Sequence, residues 1–260
     1  MHEDVQHITV GAVRLRARIS GQGPMLVLLP GLGRPAEDLD PLAAFLVAAG
    51  YKTVQPDPRG SGGSTGPLDG LTLHDLAADV AAVIDAVGGA GVTVIGHAFG
   101  NRIARMLATD RPELVATVVL LGCSGKVQPS PEIAEAIRLA QAVDTPPELR
   151  TKAVAAAWFA PGHDISAWLT GWSQPVMKSY LAAAAATDTA SWWTAGKARV
   201  VIIQGAADVS APPENGRLLR AEIGGRAVSI ELAGVGHAVG VEDPEGVARV
   251  VIAQISLVGR

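Results

Sequence analysis

The stretch Val92–Arg105, VTVIGHAFGNRIAR, constrains this chain more than any other. It reads as a buried strand, Val92–Ile95, entering Gly96-His97-Ala98-Phe99-Gly100 and then a helix, Phe99–Thr109. Gly-x-Ser-x-Gly between a strand and a helix is a nucleophile elbow, in which a sharp turn thrusts the central side chain into the open. The flanking glycines let strand and helix pack closely, and the N–H groups opening the helix favour negative charge beside the turn. The central residue here is Ala98, so the frame of an elbow is present and its reactive atom is absent.

The rest of the chain supplies what such an elbow needs around it. Val13–Ile19 alternates arginines with apolar residues, the pattern of a half-exposed antiparallel edge strand. Met25–Leu29, Tyr51–Gln55, Val115–Leu121, Arg199–Gln204 and Ala227–Leu232 are short apolar runs suited to strands. Helices are predicted over Glu37–Ala49, Leu73–Val87, Glu214–Ile223 and Pro244–Leu257. Strands alternating with helices predict a mostly parallel, doubly wound sheet. Residues 124–196 break the alternation. This segment is mostly helical by pattern and holds all five tryptophans: Trp158, Trp168, Trp172, Trp192 and Trp193.

Ligands of such sheets bind beyond the carboxyl ends of the strands, so the loops there carry the chemistry. One is the elbow at Ala98. Asp208, in Gly205-Ala206-Ala207-Asp208, follows the strand ending at Gln204, and His237, in Gly234-Val235-Gly236-His237, follows the strand ending at Leu232. Nucleophile position, acid and then histidine is the chain order of a hydrolase triad, in which histidine is the base and the carboxylate orients it.

These stretches, together with Leu29-Pro30-Gly31-Leu32-Gly33 and Asp57-Pro58-Arg59-Gly60-Ser61-Gly62-Gly63-Ser64, resemble the α/β-hydrolase superfamily, among its short, cofactor-free esterase- and enol-lactonase-like members. The resemblance implies an α/β-hydrolase fold with a core of residues 1–123 and 197–260 and an inserted helical cap at 124–196. It implies an oxyanion hole from the backbone N–H groups of Leu32 and Phe99, and an aromatic cap in which the five tryptophans contact substrate or form the cap's own core. It implies no metal and no cofactor. Pro30-Gly31 departs from the family's frequent His-Gly, which removes a histidine but keeps the glycine turn.

Ala98 departs more deeply, because alanine has neither nucleophile nor proton. With Asp208 and His237 in place, the expectation is an inactive variant of an ester or lactone hydrolase in which serine was replaced by alanine. Three alternatives stand: a serine-free protein of the same fold that binds a small ligand, an epoxide hydrolase- or dehalogenase-like parent with aspartate at position 98, and a cofactor-free oxygenase-like enzyme using His237 and Asp208 alone. Phe99 weighs against the second, since those relatives usually place Trp there.

Other features narrow the class. His97 is expected to pack under the elbow, Asp57 and Arg59 to tie the glycine-rich loop together, Glu242 and Asp243 to begin the last helix, and Cys123 to sit in the core. The remaining histidines, His2, His7, His74 and His163, show no metal-ligand spacing. A net charge of −4 without basic tracts argues against a nucleic-acid partner. One cysteine, no apolar leader and no apolar run near the roughly 18 residues of a membrane span point to the cytoplasm and away from a membrane. The expected partner is a small apolar or ring-containing ester or lactone.

Overall fold

A computed structural model of the chain describes residues 3–257. In chain order its elements are β1 (Glu3–Val10), β2 (Val13–Ser20), β3 (Met25–Leu29), α1 (Asp40–Ala48), β4 (Lys52–Pro56), α2 (Leu73–Ala86), β5 (Val92–His97), α3 (Gly100–Asp110) and β6 (Val115–Leu121). Then come α4 (Pro131–Gln141), α5 (Pro147–Trp158), α6 (Gln174–Ala185) and α7 (Thr189–Trp192). The chain closes with β7 (Arg199–Gly205), α8 (Glu214–Ile223), β8 (Ala227–Leu232), α9 (Val239–Glu242) and α10 (Pro244–Ser256).

The strands form one sheet in the order β1-β2-β4-β3-β5-β6-β7-β8. β1 and β2 pair antiparallel, β2 pairs antiparallel with β4, and every other pairing is parallel. The parallel strands are buried on both faces because helices cover both. One apolar cluster joins Val27, Val94, Val118 and Val200 to α2 and α3. A second joins Leu28, Ile95, Val119 and Val201 to α1, α9 and α10.

Two expectations need correction. β2 is the second strand, not the edge; β1 covers it over its full length, Glu3 opposite Ser20 and Val10 opposite Val13. β1 escaped the sequence reading because its side chains are largely exposed and follow no strict alternation. The helix expected from Glu37 starts as a 3₁₀ turn, Ala36–Leu39, and becomes α-helical only at Asp40, with Pro41 in its first turn. Residues 124–196 hold α4–α7 and no strand, inserted between β6 and β7.

Candidate active site

The elbow is built as its glycines require. Ala98 sits at φ 48°, in the left-handed region that costs a residue with a Cβ about 1–2 kcal/mol. A Cβ on Gly96 would come within 2.5 Å of the Asn101 backbone nitrogen, and one on Gly100 within 2.5 Å of the Leu29 carbonyl oxygen. β5 and α3 therefore approach too closely for any other residue at Gly96, and α3 approaches the end of β3 too closely for any other residue at Gly100. Asn101, fully buried, ties the turn to the next strand by donating to the Leu121 and Gly122 carbonyls.

The structure brings Asp208 and His237 together. His237 Nδ1 lies 2.9 Å from Asp208 Oδ2, with both side chains buried. Three further donors fix the carboxylate: Gln204 Nε2 on Oδ2, and the backbone N–H groups of Ser210 and Ala211 on Oδ1. An ionised carboxylate only accepts, so Nδ1 carries the hydrogen and the Nε2 lone pair is left free. Gly122, at φ 62°, makes room for the pair; a Cβ there would lie 3.2 Å from His237 Nδ1 and 3.4 Å from Asp208 Oδ2. The sequence reading did not single out Gln204 or Gly122.

His97 packs beneath this pair. Its Nε2 donates to the His237 carbonyl at 2.9 Å, and the two imidazole centroids are 5.1 Å apart. Burial, with the neighbouring His237 second, pushes the pKa of His97 down to about 3, so it is neutral at physiological pH. Glu242 does not begin the last helix. Its carboxylate accepts from the Gly236 and Ala160 N–H groups, bracing the loop that carries His237, while Asp243 caps α10 through Gly246 N–H.

Ala98 and His237 line one cavity of about 250 Å³. Leu32 and Phe99 line it too, and among the described residues neither backbone N–H donates to a partner. Trp158, Trp168 and Trp172 form its aromatic wall, with Trp158 stacked on Trp172 at 4.6 Å and Trp168 edge-on to both. Trp192 and Trp193 are not part of that wall. They clamp the buried Arg105 guanidinium, at 4.5 and 5.0 Å, behind α3, and Trp193 Nε1 donates to Glu222. The sequence placed all five tryptophans in one segment, but only three face the cavity.

Two arginines in the lining escaped sequence reading. Arg34 is fully buried, bonded through two nitrogens to Asp38 and to the Ala167 and Thr170 carbonyls, with its face over Trp168 and Trp172. It pins the loop carrying Leu32 to the helical insert. Arg102 lies one turn into α3, its N–H donating to the Phe99 carbonyl. Helical spacing from the elbow was the signal that could have found it. Asp57 ties the glycine-rich loop as expected, accepting from Gly63 N–H and Arg16, whereas Arg59 joins that loop to α2 through Asp79. Among the described residues no cluster of three or more His, Cys, Asp or Glu is placed to hold a metal, and no helix is long and apolar enough to cross a membrane.

Comparison with known proteins agrees with this fold. The sequence pattern described as "Alpha/beta hydrolase family" matches residues 26–250. "Putative non-heme bromoperoxidase BpoC" of Mycobacterium tuberculosis H37Rv is 30% identical over 245 residues, 88% of this chain and 92% of that protein. Its crystal structure superposes with a TM-score of 0.79, covering 94% of this chain and 96% of that one. "Putative carbamate hydrolase RutD" of Variovorax paradoxus is 35% identical over 105 residues, a match spanning only 40% of each chain. An esterase (EaEST) from Exiguobacterium antarcticum shares the fold at a TM-score of 0.81, with 19% identity over 96% of this chain and 98% of that one.

Proposed function

This chain belongs to the α/β-hydrolase family, and on that premise we propose that it is a carboxylic ester or lactone hydrolase inactivated by alanine in place of the nucleophilic serine at position 98. The observation that carries the reading is the hydrogen-bonded His237–Asp208 pair on the cavity that Ala98 lines. A base without a nucleophile beside it has no covalent work to do, and both of its supports are kept.

With serine at position 98, the steps follow from the groups present. The hydroxyl attacks the substrate carbonyl while His237 Nε2 takes its proton. Asp208 holds the imidazole in the required tautomer and stabilises its charged form. The N–H groups of Leu32 and Phe99 receive the oxyanion. His237 then protonates the leaving alkoxide, and a water activated by the same nitrogen cleaves the acyl-enzyme. Residues 124–196 act as the cap over the site, with Trp158, Trp168 and Trp172 holding an apolar or ring-containing acyl or alcohol group. As it stands, with alanine, the chain binds such a ligand and does not form the acyl-enzyme. A parent with aspartate at position 98 is less well supported, because Phe99 follows it.

The test is turnover by Ala98→Ser of a panel of short aryl esters and lactones. Serine should raise kcat/KM by about 10⁴-fold or more over the alanine chain. Equal inertness of both forms across the panel overturns the hydrolase reading.

A further inference from the structure

The cavity contains a cation that the chain does not neutralise. Arg102 lines it beside Ala98 and Phe99. Its Nε is fully buried and has no hydrogen-bond partner, and among the described residues no carboxylate pairs with its guanidinium. Aromatic faces flank the guanidinium, Phe99 at 5.5 Å and Trp192 at 5.7 Å. Of the other buried arginines among the described residues, Arg105 also lacks a carboxylate, but its guanidinium donates to Asn101 and the Ser124 carbonyl. Arg16, Arg34 and Arg59 each meet an aspartate at 2.9 Å or less.

The remaining lining does not offset this charge. It contains no Asp or Glu at all. Arg34 is already paired with Asp38, and His97 is neutral. Burial also weakens Arg102's hold on its proton, which is the direction expected when nothing in the chain compensates a desolvated cation. An unpaired guanidinium facing a site beside apolar walls is costly in the free protein, and an anionic group on the ligand relieves that cost.

Resting on the hydrolase reading above, we propose that the substrate carries a carboxylate, which Arg102 binds and by which the site selects acidic over neutral acyl compounds. A guanidinium presents its donors in a planar fork that matches a carboxylate. Arg102 stands one helical turn beyond Phe99, whose N–H is assigned to the oxyanion, so the carboxylate lies on the α3 side of the reacting carbonyl. Trp158 and Trp172 then enclose the uncharged part of the molecule. A cavity of about 250 Å³ suits a small half-ester or an acid-bearing lactone.

The experiment uses the monomethyl esters of succinic and terephthalic acids, each beside its primary amide, which keeps the shape and removes the charge. In one arm the alanine chain is titrated with each compound by calorimetry. In the other, Ala98→Ser is assayed for turnover of the same compounds. Binding of the acids should be about 10- to 100-fold tighter than of the amides, the range of a charge-assisted hydrogen bond. Arg102→Gln should collapse that ratio towards one, and Arg102→Lys should keep part of it, which a purely structural role for the side chain would not produce. Equal binding of acid and amide, no binding of either acid, or a ratio that survives Arg102→Gln in a variant with an unchanged Tm overturns the proposal. The two claims separate cleanly. An Arg102-dependent preference in binding without turnover by Ala98→Ser sinks the hydrolase reading alone, and turnover without preference sinks the carboxylate site alone.

Discussion

Ala98 holds a backbone angle that a serine would hold equally, so the strain of the turn does not depend on the missing hydroxyl. What the turn does require is the pair of glycines around it. His97 makes a testable contribution to stability. Its pKa is near 3 in the folded chain against 6.5 when unfolded, so the unfolded state binds more protons as pH falls through 6.5. The stability it contributes is fully present above pH 6.5 and is lost progressively as pH falls from there towards 3. The loss between pH ~7 and ~5 amounts to about 2 kcal/mol. Urea unfolding of the native chain and His97→Gln at both pH values should show this loss in the first and a smaller one in the second. Equal pH sensitivity would mean that His97 is charged in the fold. Neither the depth of this burial nor the unpaired state of Arg102 is visible in a sequence, because both depend on neighbours far along the chain: the His237 carbonyl for one, Trp192 on α7 for the other.

At the scale of elements, the legible parts were those whose burial is decided locally. β3, β5, β6 and β7 announce themselves as apolar runs because both faces of the sheet are covered. The three candidate loops follow strand ends, so Ala98, Asp208 and His237 could be placed without coordinates. The helical insert was legible only as helix. Which tryptophans line a cavity depends on how α5, α6 and α7 pack, and the split between Trp158, Trp168 and Trp172 on one side and Trp192 and Trp193 on the other has no periodic signature. The entry to the insert is held in part by a side chain from the other end of the chain. Asn215, on α8, accepts from the Lys126 and Val127 N–H groups and donates to the Val127 carbonyl, all at 2.8–2.9 Å, and is fully buried. Asn215→Ala leaves those backbone groups without partners, so urea unfolding should show a loss of about 2–3 kcal/mol. A loss within about 0.5 kcal/mol would mean that water replaces the amide at no cost.

Across the whole molecule, insert and sheet are interlocked rather than merely adjacent. The Trp158 carbonyl at the end of α5 accepts from both His237 and Ala238 N–H groups. Arg34 bonds two carbonyls of the insert from the β3 side, and Glu242 reaches Ala160. Because all five tryptophans lie between residues 158 and 193, intrinsic fluorescence reports the insert while far-UV circular dichroism reports the sheet and helices together. The shared hydrogen bonds predict coincident urea transitions by the two probes. A fluorescence transition at distinctly lower urea would show that the insert unfolds on its own. That interlock also ties the catalytic proposal to the fold, since the loop bearing His237 is braced by the segment that closes the cavity.

The central claim is that position 98 is a nucleophile site served by His237. The most direct measurement is the intact mass of Ala98→Ser after exposure to a fluorophosphonate, beside the alanine chain and the double variant Ala98→Ser/His237→Ala. The account predicts one adduct on the serine form, none on the alanine chain, and labelling of the double variant slowed by orders of magnitude. A serine form that stays unlabelled, or one that labels as fast without His237, would contradict it.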